Sequence, residues 1–249
     1  MTYRVAIVTG AAAGIGAACS IRLAQDGIAV GVLDLDEERC AQTVQTIKDA
    51  GGSAIALGAD VSNREQVAAA VEKCRDAFGP ITILVNNAGV TDFTPFEELT
   101  DDRWDFVYAI NVRGPMIMAQ HVLKDMKDAG WGRIVNISSS SAQTGALNMI
   151  CYSSSKGAVV TMTRSMAQEF GPYGITVNNI PPGSVMNTIM SEANRERFQI
   201  PTEVLLQTIP VRRMGEPADI ANACAWLCHE ASGYVTGQTI GVNGGRVVT

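Results

Sequence analysis

Hydrophobic residues along the chain fall into short continuous runs, which alternate with longer stretches where apolar residues recur at helical spacing. The runs predict seven strands, at residues 4–10, 28–36, 53–60, 81–89, 132–139, 174–183 and 239–245. The stretches between them predict helices at about 14–26, 37–50, 63–78, 101–129, 152–170 and 217–229. Near-continuous apolar strands that alternate with helices are typical of a parallel sheet with helices on both faces. We therefore predict an α/β fold with a doubly wound, seven-stranded parallel sheet.

No composition break, repeat or low-complexity segment divides the chain, so the pattern predicts a single domain over residues 1–249. A longer polar, methionine-containing segment at about 184–208 follows the sixth predicted strand. Ligands of open α/β sheets bind beyond the carboxyl ends of the strands. We expect the binding site at that edge of the sheet.

Composition narrows the possible functions. The net charge of −6 gives no basic surface for nucleic acid and no polybasic cluster for a membrane. The apolar runs are too short to span a bilayer, and the first ten residues resemble a strand rather than a signal peptide. We therefore expect a cytoplasmic protein that binds neither nucleic acid nor membranes.

Six scattered cysteines without a Cys-x-x-Cys pair predict reduced, buried thiols. The two histidines, His121 and His229, are isolated in sequence. This distribution argues against a metal site and against a Ser-His-Asp triad.

A glycine-rich turn follows the first predicted strand. Residues 9–16 read TGAAAGIG and lead directly into a predicted helix. Glycines in such a turn let the backbone approach a pyrophosphate, and the N–H groups at the helix N-terminus stabilise its negative charge. The placement of the motif at a strand–helix junction predicts a dinucleotide site.

Asp34 ends the second predicted strand, 18 residues after Gly16. A carboxylate at that position can bind both ribose hydroxyls of the adenosine half and would repel a 2′-phosphate. No Lys or Arg lies at 11–13 or 33–36, so the pattern favours NAD over NADP. The alternative is that Asp34 or Asp36 only caps the following helix, a role that suits Asp36 better.

The stretch YSSSK at 152–156 places a phenol and an ammonium group four residues apart. On a helix these positions share a face, so both groups can reach one ligand. A neighbouring lysine cation favours the phenolate, so we expect Lys156 to lower the pKa of Tyr152 toward neutrality. The pair then provides a general acid and base.

Taken in order, these motifs resemble the short-chain dehydrogenases/reductases, in the branch with about 250 residues and one Rossmann-type domain. The resemblance spans the chain from TGAAAGIG to the terminal YVTGQTIGVNGG at 234–245. Between them lie NNAG (86–89), Asn111, Ser139, YSSSK and the Pro-Gly pair at 182–183. The resemblance implies an oxidoreductase that moves a hydride between a nicotinamide and a carbon bearing oxygen.

The resemblance also implies four catalytic residues. Tyr152 would move a proton to or from the substrate oxygen, and Lys156 would also bond the nicotinamide ribose. Ser139 would orient the substrate oxygen; it is chosen among the serines of 138–141 because it lies thirteen residues before Tyr152. Asn111, inside the predicted long helix, would support a water-linked proton relay through Lys156.

The cofactor residues follow from the same resemblance. Asp60 would contact the adenine, residues 87–89 would line the cleft, and 182–188 would cover the nicotinamide. The carboxamide contact stays open between Asn187 and Thr188, because the family often has Thr where this chain has Asn187. The full implied set is Gly10, Ala13, Gly14, Ile15, Gly16, Asp34, Leu35, Asp60, Val61, Asn87, Ala88, Gly89, Tyr152, Lys156, Pro182, Gly183, Val185, Asn187 and Thr188.

The predicted substrate pocket is mainly apolar, with a lid at about 184–208, and methionines suit such adaptable walls. Its predicted residues are Phe96, Ser141, Leu147, Met149, Met186 and Met190. These residues favour NAD-dependent interconversion of a mainly apolar secondary alcohol and its ketone. Arg195, Arg197, Arg212 and Arg213 are interpreted as a solvated surface rather than as partners of an anionic substrate.

Three alternatives stay open. One is reduction of a 3-oxoacyl thioester of CoA or a carrier protein, although the chain lacks the arginines that carrier-protein enzymes often present before GRI and GITVN. The second is a dinucleotide-binding protein without catalysis. The third is a lyase or dehalogenase on the same scaffold, but such relatives lose the glycine-rich turn. The resemblance also implies a homotetramer with interfaces at 101–129, 152–170 and the C-terminal strand.

Overall fold

Six parallel strands form one sheet in the computed structural model, which describes residues 4–186, 188 and 201–248. The sheet order is β3-β2-β1-β4-β5-β6. The direction of winding reverses between β1 and β4, and a crevice opens at such a point beyond the carboxyl ends of the strands. The strands are β1 (Val5–Thr9), β2 (Ala29–Asp34), β3 (Ala54–Gly58), β4 (Ile83–Asn86), β5 (Gly132–Ile137) and β6 (Ile175–Ile180).

Helices cover both faces of the sheet because alternate strand residues point to opposite sides. Ala6 and Val8 pack on one side with α1, α2 and α9, whereas Val5 and Ile7 pack on the other with α3, α5 and α7. The α-helices are α1 (Gly14–Gln25), α2 (Ala41–Asp49), α3 (Arg64–Phe78), α4 (Asp101–Tyr108), α5 (Gly114–Asp128), α6 (Ser141–Thr144), α7 (Ile150–Phe170), α8 (Thr202–Gln207) and α9 (Pro217–Cys228).

The prediction of a doubly wound parallel α/β fold is confirmed, but the seventh strand is wrong as a regular strand. Residues 239–245 run beside β6 and make only isolated parallel bridges, at Asn179–Thr239 and Pro182–Val242. Pro181 and Pro182 carry no backbone N–H, so a continuous ladder cannot form past the end of β6.

The predicted helix 101–129 is interrupted. It consists of α4, a π-helical turn at Ala109–Arg113, and α5. Pro115, in the first turn of α5, has no N–H to donate to the carbonyl of Asn111, four residues earlier. The interruption matters for function because Asn111 lies inside the widened turn.

All six cysteines are buried free thiols, as predicted. Among the residues that the structure describes, no helix is both long and apolar enough to cross a membrane. Within the same residues, no three His, Cys, Asp or Glu side chains are grouped as a metal site.

Candidate active site

The glycine-rich turn joins β1 to α1 with no room for side chains at two of its glycines. A Cβ on Gly16 would lie 2.2 Å from the Gly10 carbonyl oxygen, and a Cβ on Gly10 would lie 2.9 Å from Ala88 Cα. Gly10 and Gly14 have φ values of 61° and 57°, which L-residues with side chains rarely adopt. The backbone is therefore exposed to a ligand where α1 begins.

Thr9 and Asn87 hold this turn against the end of β4. The Thr9 hydroxyl accepts the N–H groups of Asn87 and Ala88, each at 3.0 Å. The Asn87 amide donates back to the carbonyls of Thr9 and Gly10, at 2.9 and 3.0 Å. Asn87 thus positions the turn as well as lining the cleft, a structural role that the motif alone does not reveal.

Asp34 lies at the carboxyl end of β2, beside the turn. Its carboxylate accepts the N–H groups of Ala12 at 3.2 Å and Leu35 at 2.9 Å. Arg39 Nε lies 3.0 Å from Asp34 Oδ1. This cation was not predicted, because Arg39 lies outside residues 11–13 and 33–36, the positions expected to carry a partner for a 2′-phosphate. The Leu35 side chain is exposed.

Asp60 and Val61 follow β3 near the same edge of the sheet. One oxygen of Asp60 accepts both the N–H and the hydroxyl of Ser62, each at 2.8 Å. The Val61 side chain is buried, and a Cβ on Gly114 would lie 2.8 Å from it. Val61 therefore has its backbone, rather than its side chain, available for a ligand.

The phenol of Tyr152 is buried in the first turn of α7 and shares a hydrogen bond with Ser139. Ser139 lies two residues beyond β5, and its hydroxyl accepts a hydrogen bond from Ser141 Oγ at 3.0 Å. Burial raises the pKa of Tyr152 above its ordinary value, and the Ser139 hydrogen bond only partly opposes this effect. Tyr152 is therefore a protonated donor at neutral pH.

Lys156 lies one helical turn after Tyr152, with its Nζ 5.9 Å from the centre of the phenol ring. Nζ donates to the Ile137 carbonyl at 3.0 Å, and burial lowers the pKa of Lys156 to about 8. The expectation that Lys156 lowers the pKa of Tyr152 is wrong for this arrangement. Burial of the phenol raises its pKa, and the buried Lys156 ammonium is directed at the Ile137 carbonyl rather than at the phenol.

Asn111 and Lys156 meet at Gly89. A Cβ on Gly89 would lie 3.0 Å from Asn111 Oδ1 and 3.1 Å from Lys156 Nζ, so a larger residue would press on both polar groups. The Asn111 amide also bonds the N–H and carbonyl of Val90 and the hydroxyl of Ser155, at 2.9, 2.9 and 3.0 Å. Asn111 therefore ties the loop after β4 to the helix that carries Tyr152.

A cleft of about 490 Å³ lies beyond the carboxyl ends of β4, β5 and β6 and brings together Ser139, Tyr152 and Lys156, whereas the glycines of the turn, Asp34 and Asp60 do not line it. Two chain segments form its floor together, because Ser138 N donates to the Ile180 carbonyl and Ser140 N to the Pro182 carbonyl, at 2.9 and 3.0 Å. Of the predicted site residues, it is lined by Ile15, Asn87, Ser139, Ser141, Met149, Tyr152, Lys156, Pro182, Gly183, Val185, Met186 and Thr188.

Other predicted residues lie elsewhere. Phe96 and Leu147 do not line the cleft and are 68% and 79% exposed. Phe96 is in a short 3₁₀ turn, and Leu147 follows the turn at Gly145, whose φ is 68°. Asn187 and Met190 lie outside the described residues.

The cleft also contains residues that the sequence analysis did not predict, from distant parts of the chain. Thr91, Ile137, Met214 and Arg246 lie outside every segment that was predicted near the site, and no local motif marks them because only the fold brings them together. Ser138, Ser140, Ser184, Thr202 and Leu205 belong to segments that were predicted near the site, although they were not singled out as site residues.

The residues present fit a nicotinamide dinucleotide. The turn at Gly10–Gly16 excludes side chains, and no side chain caps the N-terminus of α1, so its first N–H groups can bind phosphate. The hydroxyls of Ser138 and Thr91 are buried without a hydrogen-bond partner within the described part of the chain. Buried polar groups are rarely left unpaired, so these hydroxyls indicate a polar ligand.

Comparison with known proteins agrees with this geometry. Residues 10–246 match the family model described as enoyl-(acyl carrier protein) reductase. Short-chain reductase protein NovJ of Streptomyces niveus is 40% identical over 246 residues, covering 97% of this chain and 93% of that protein. Acetoacetyl-CoA reductase of Cupriavidus necator is 37% identical over 246 residues, covering 98% of each chain.

A third relative is a (2S)-[(R)-hydroxy(phenyl)methyl]succinyl-CoA dehydrogenase subunit, BbsD, of Thauera aromatica. It is 40% identical over 243 residues, covering 98% of this chain and 96% of that protein. A crystal structure assigned as a short-chain alcohol dehydrogenase, from Sinorhizobium meliloti 1021, superposes with a TM-score of 0.93 at 32% identity, covering 99% and 97% of the two chains. The chain therefore belongs to the short-chain dehydrogenase/reductase family of oxidoreductases, which bind a nicotinamide dinucleotide.

Proposed function

We propose that this protein is an NAD-dependent oxidoreductase that interconverts a mainly apolar secondary alcohol and its ketone, with Tyr152 as the acid and base. The observation that carries the proposal is the buried Tyr152 phenol, hydrogen-bonded to Ser139 inside a cleft that Met149 and Met186 also line. The methionines supply an apolar, adaptable wall beside the two hydroxyl groups.

The chain's own residues account for the proton on the substrate oxygen. The bound nicotinamide would supply or accept the hydride at carbon. Tyr152, whose pKa is raised by burial, is protonated at neutral pH and can donate to the developing alkoxide of a ketone. Ser139 bonds the same oxygen and fixes its orientation, because its hydroxyl is held by Ser141. In the oxidative direction the phenolate form of Tyr152 would accept the hydroxyl proton of the alcohol as the hydride leaves its carbon.

Lys156 would serve the cofactor rather than the phenol. Its Nζ is fixed by the Ile137 carbonyl and lies close to Gly89. An ammonium group in this position can donate to the ribose hydroxyls that lie next to the nicotinamide. Asn111 bonds Val90 in the loop after β4 and Ser155 on α7, and so keeps this loop in place beside Lys156.

The preference for NAD rests on Asp34. Its carboxylate stands at the end of β2 and accepts two backbone N–H groups, which hold it beside the glycine-rich turn. There it can accept the ribose hydroxyls and would repel a 2′-phosphate. Arg39 pairs with the same carboxylate, so this preference depends on the pair and not on Asp34 alone.

The second proposed function is reduction of a 3-oxoacyl thioester. It is supported by the similarity to acetoacetyl-CoA reductases of Cupriavidus necator and Shinella zoogloeoides, at 37% and 39% identity. Both functions use the same proton donor and differ only in the group attached to the ketone.

Turnover with a panel of substrates tests the proposal. Purified protein is assayed by nicotinamide absorbance with alkyl and aryl ketones, their secondary alcohols, a polyol and acetoacetyl-CoA, each with NAD(H) and NADP(H). We expect turnover of apolar ketones with NADH and little with the polyol. Turnover of acetoacetyl-CoA alone would favour the thioester function, and binding of the dinucleotide without any turnover would contradict both.

The homotetramer stays a prediction from the family resemblance. Phe106 on α4 is a large apolar side chain that is 48% exposed, within the segment 101–129 that is predicted to form an interface. Sedimentation equilibrium measures the assembly directly, and a monomer at micromolar concentration would contradict the prediction.

A further inference from the structure

Arg246 is a positively charged residue of the cleft that no sequence motif predicted. Among the described residues that line the cleft, the only charged side chains are Lys156 and Arg246, and none is acidic. This contrasts with a chain whose net charge is −6. Lys156 is buried beside Tyr152, whereas Arg246 is solvent-exposed. The cleft therefore has a second positive group that the proposed chemistry does not use.

A tight turn fixes the position of Arg246. Gly244 and Gly245 have φ values of 66° and 83°, and the Arg246 N–H donates to the Asn243 carbonyl at 3.2 Å. The Asn243 side chain accepts the Gly245 N–H and donates to the Val247 carbonyl, both at 3.0 Å. The backbone on both sides of Arg246 is thus held by one side chain.

The guanidinium is directed at the start of the lid. Arg246 Nη1 donates to Ser184 Oγ at 2.7 Å. Ser184 in turn belongs to a segment fixed to Gly215, because Gly215 N donates to the Ser184 carbonyl at 2.9 Å. Within the described part of the chain, the ion pairs do not include Arg246.

This differs from the neighbouring Arg213, whose guanidinium makes two bonds to the carboxylate of Asp219, at 2.6 and 2.8 Å. Arg213 is neutralised by Asp219, whereas Arg246 bonds only Ser184 among the described side chains and keeps its other donors available there for a ligand. An arginine with free donors on a cleft is suited to a carboxylate or phosphate, because its planar fork matches their oxygens.

We propose that Arg246, supported by Ser184, binds an anionic group of the substrate, so that the substrate is an apolar ketone or alcohol carrying an oxyanion away from its reacting carbon. This inference rests on the proposed function and specifies its substrate class. Met149, Met186, Leu205 and Met214 line the cleft and would contact the apolar part. The oxyanion is a carboxylate of the substrate or a phosphate of a thioester carrier; both present the same chemistry to Arg246.

The test compares probes that carry an anionic group with partners that lack it. The first pair is 4-oxo-4-phenylbutanoate and its methyl ester, and the second is acetoacetyl-CoA and the N-acetylcysteamine thioester of acetoacetate, which lacks the phosphates. Affinity for the full chain is measured by calorimetry with and without NAD, and kcat/KM is measured with NADH. The variants are Arg246→Gln and Arg246→Lys.

Arg212→Asn is the matched control. It removes the same positive charge from a residue that does not line the cleft. Arg212 has a φ of 57°, a conformation that asparagine tolerates.

Arg246→Gln should weaken binding and lower kcat/KM of the charged member of a pair by about 10- to 100-fold, the usual effect of losing a charge-assisted bond. The neutral member should change less than about threefold, as should the affinity for NAD. Arg246→Lys should retain part of the preference, because it keeps the charge but loses the planar fork, and Arg212→Asn should retain all of it. The pair that responds identifies the oxyanion as carboxylate or phosphate.

Equal losses for charged and neutral probes would overturn the inference, as would a loss of NAD affinity alone or a wild type without preference for the charged probes. These outcomes differ from failure of the proposed function. In that case the charged probes still bind through Arg246 but no ketone is reduced.

Discussion

The cofactor side and the substrate side of the cleft are built in different ways. On the cofactor side, Thr9, Gly10, Gly16 and Asn87 are joined by short backbone contacts, and every member belongs to a recognisable motif. On the substrate side, the wall combines residues from 138–149, 184–188, 202–214 and the C-terminal Arg246. The contacts on the first side join residues of two short sequence motifs, whereas the segments on the second side share no motif and meet only after the whole chain has folded.

This difference distinguishes the residues that would bind the dinucleotide, whatever the substrate, from the residues that would select the substrate. A backbone cradle without Cβ atoms can hold a dinucleotide irrespective of the substrate, so its residue types are narrowly constrained. Side chains on the opposite wall are long and adaptable, and they can change without disturbing the cradle. We therefore expect substitutions on the cofactor side to affect dinucleotide binding first, and those on the substrate side to affect selectivity.

The largest effect is expected from Gly16→Val. The new Cβ would lie 2.2 Å from the Gly10 carbonyl and 2.6 Å from Asn87 Nδ2, so the turn must open. Affinity for NAD should fall by at least ~10², because the backbone can no longer approach the pyrophosphate. Calorimetric titration with NAD measures this loss.

Gly171→Ala is the control for that variant, since a Cβ there meets no atom within 4 Å. NAD should bind this control as it binds the wild type. Retained NAD affinity in Gly16→Val, in a protein that is still folded by circular dichroism, would show that the turn is not the phosphate site.

An intermediate effect is expected from Asp34→Ala. The substitution removes the carboxylate that repels a 2′-phosphate and releases Arg39, now 3.0 Å away, to pair with that phosphate. Affinity for NADP relative to NAD should rise by roughly 10- to 100-fold, in line with one charge-assisted contact. Fluorescence titration with the reduced dinucleotides measures the ratio.

The double variant Asp34→Ala/Arg39→Ala separates the two causes of the expected gain in NADP affinity, which are the loss of the carboxylate and the release of Arg39. The double variant should lose most of the gain in NADP affinity if Arg39 is the phosphate partner. If the double variant has the same ratio of NADP affinity to NAD affinity as Asp34→Ala, the whole effect is due to the lost carboxylate. A wild type that already prefers NADP would contradict the role given to Asp34.

The smallest effect concerns stability and pH at Lys156. Burial lowers the pKa of Lys156 to about 8 in the folded protein, below its value in the unfolded chain. Between these two pKa values the unfolded chain binds more protons, so the contribution of Lys156 to stability rises with pH. Relative to Lys156→Met, the wild type should gain about 1 kcal/mol in free energy of unfolding from pH 7 to pH 9.

Urea unfolding of both proteins at the two pH values measures this difference. Lys48→Met, which removes an exposed lysine from α2, controls for the loss of a lysine in general. If the free energy of unfolding of the wild type minus that of Lys156→Met stays constant or falls as pH rises, Lys156 is not a desolvated cation in the folded protein.

The sequence predicted the parts of the site that depend on local geometry. The apolar runs located the six strands, and the glycine spacing located the turn, because both follow from backbone sterics within a few residues. The spacing of Tyr152 and Lys156 correctly predicted one helix that carries both groups. The direction of the Tyr152 pKa was not predictable in this way, since it depends on burial by distant segments.

Long-range contacts also explain the other differences. Leu147 and Phe96 are apolar and close in sequence to the site, yet the chain leaves them exposed to solvent. Arg246 lies 94 positions after Tyr152 and reaches the cleft only because the Gly244-Gly245 turn packs against the segment near Pro210. Sequence proximity was thus a poor guide on the substrate side.

The most direct test of the account is whether proton transfer can be separated from dinucleotide binding at Tyr152. Tyr152→Phe keeps the ring and removes only the hydroxyl that bonds Ser139. The measurement is the Kd for NAD together with kcat for an aryl ketone, in this variant and in the control Tyr173→Phe, whose ring is exposed. The account predicts a fall in kcat of at least ~10² with Kd nearly unchanged, and no change in the control. Near-normal turnover in Tyr152→Phe, or losses of turnover and binding in equal proportion, would contradict it.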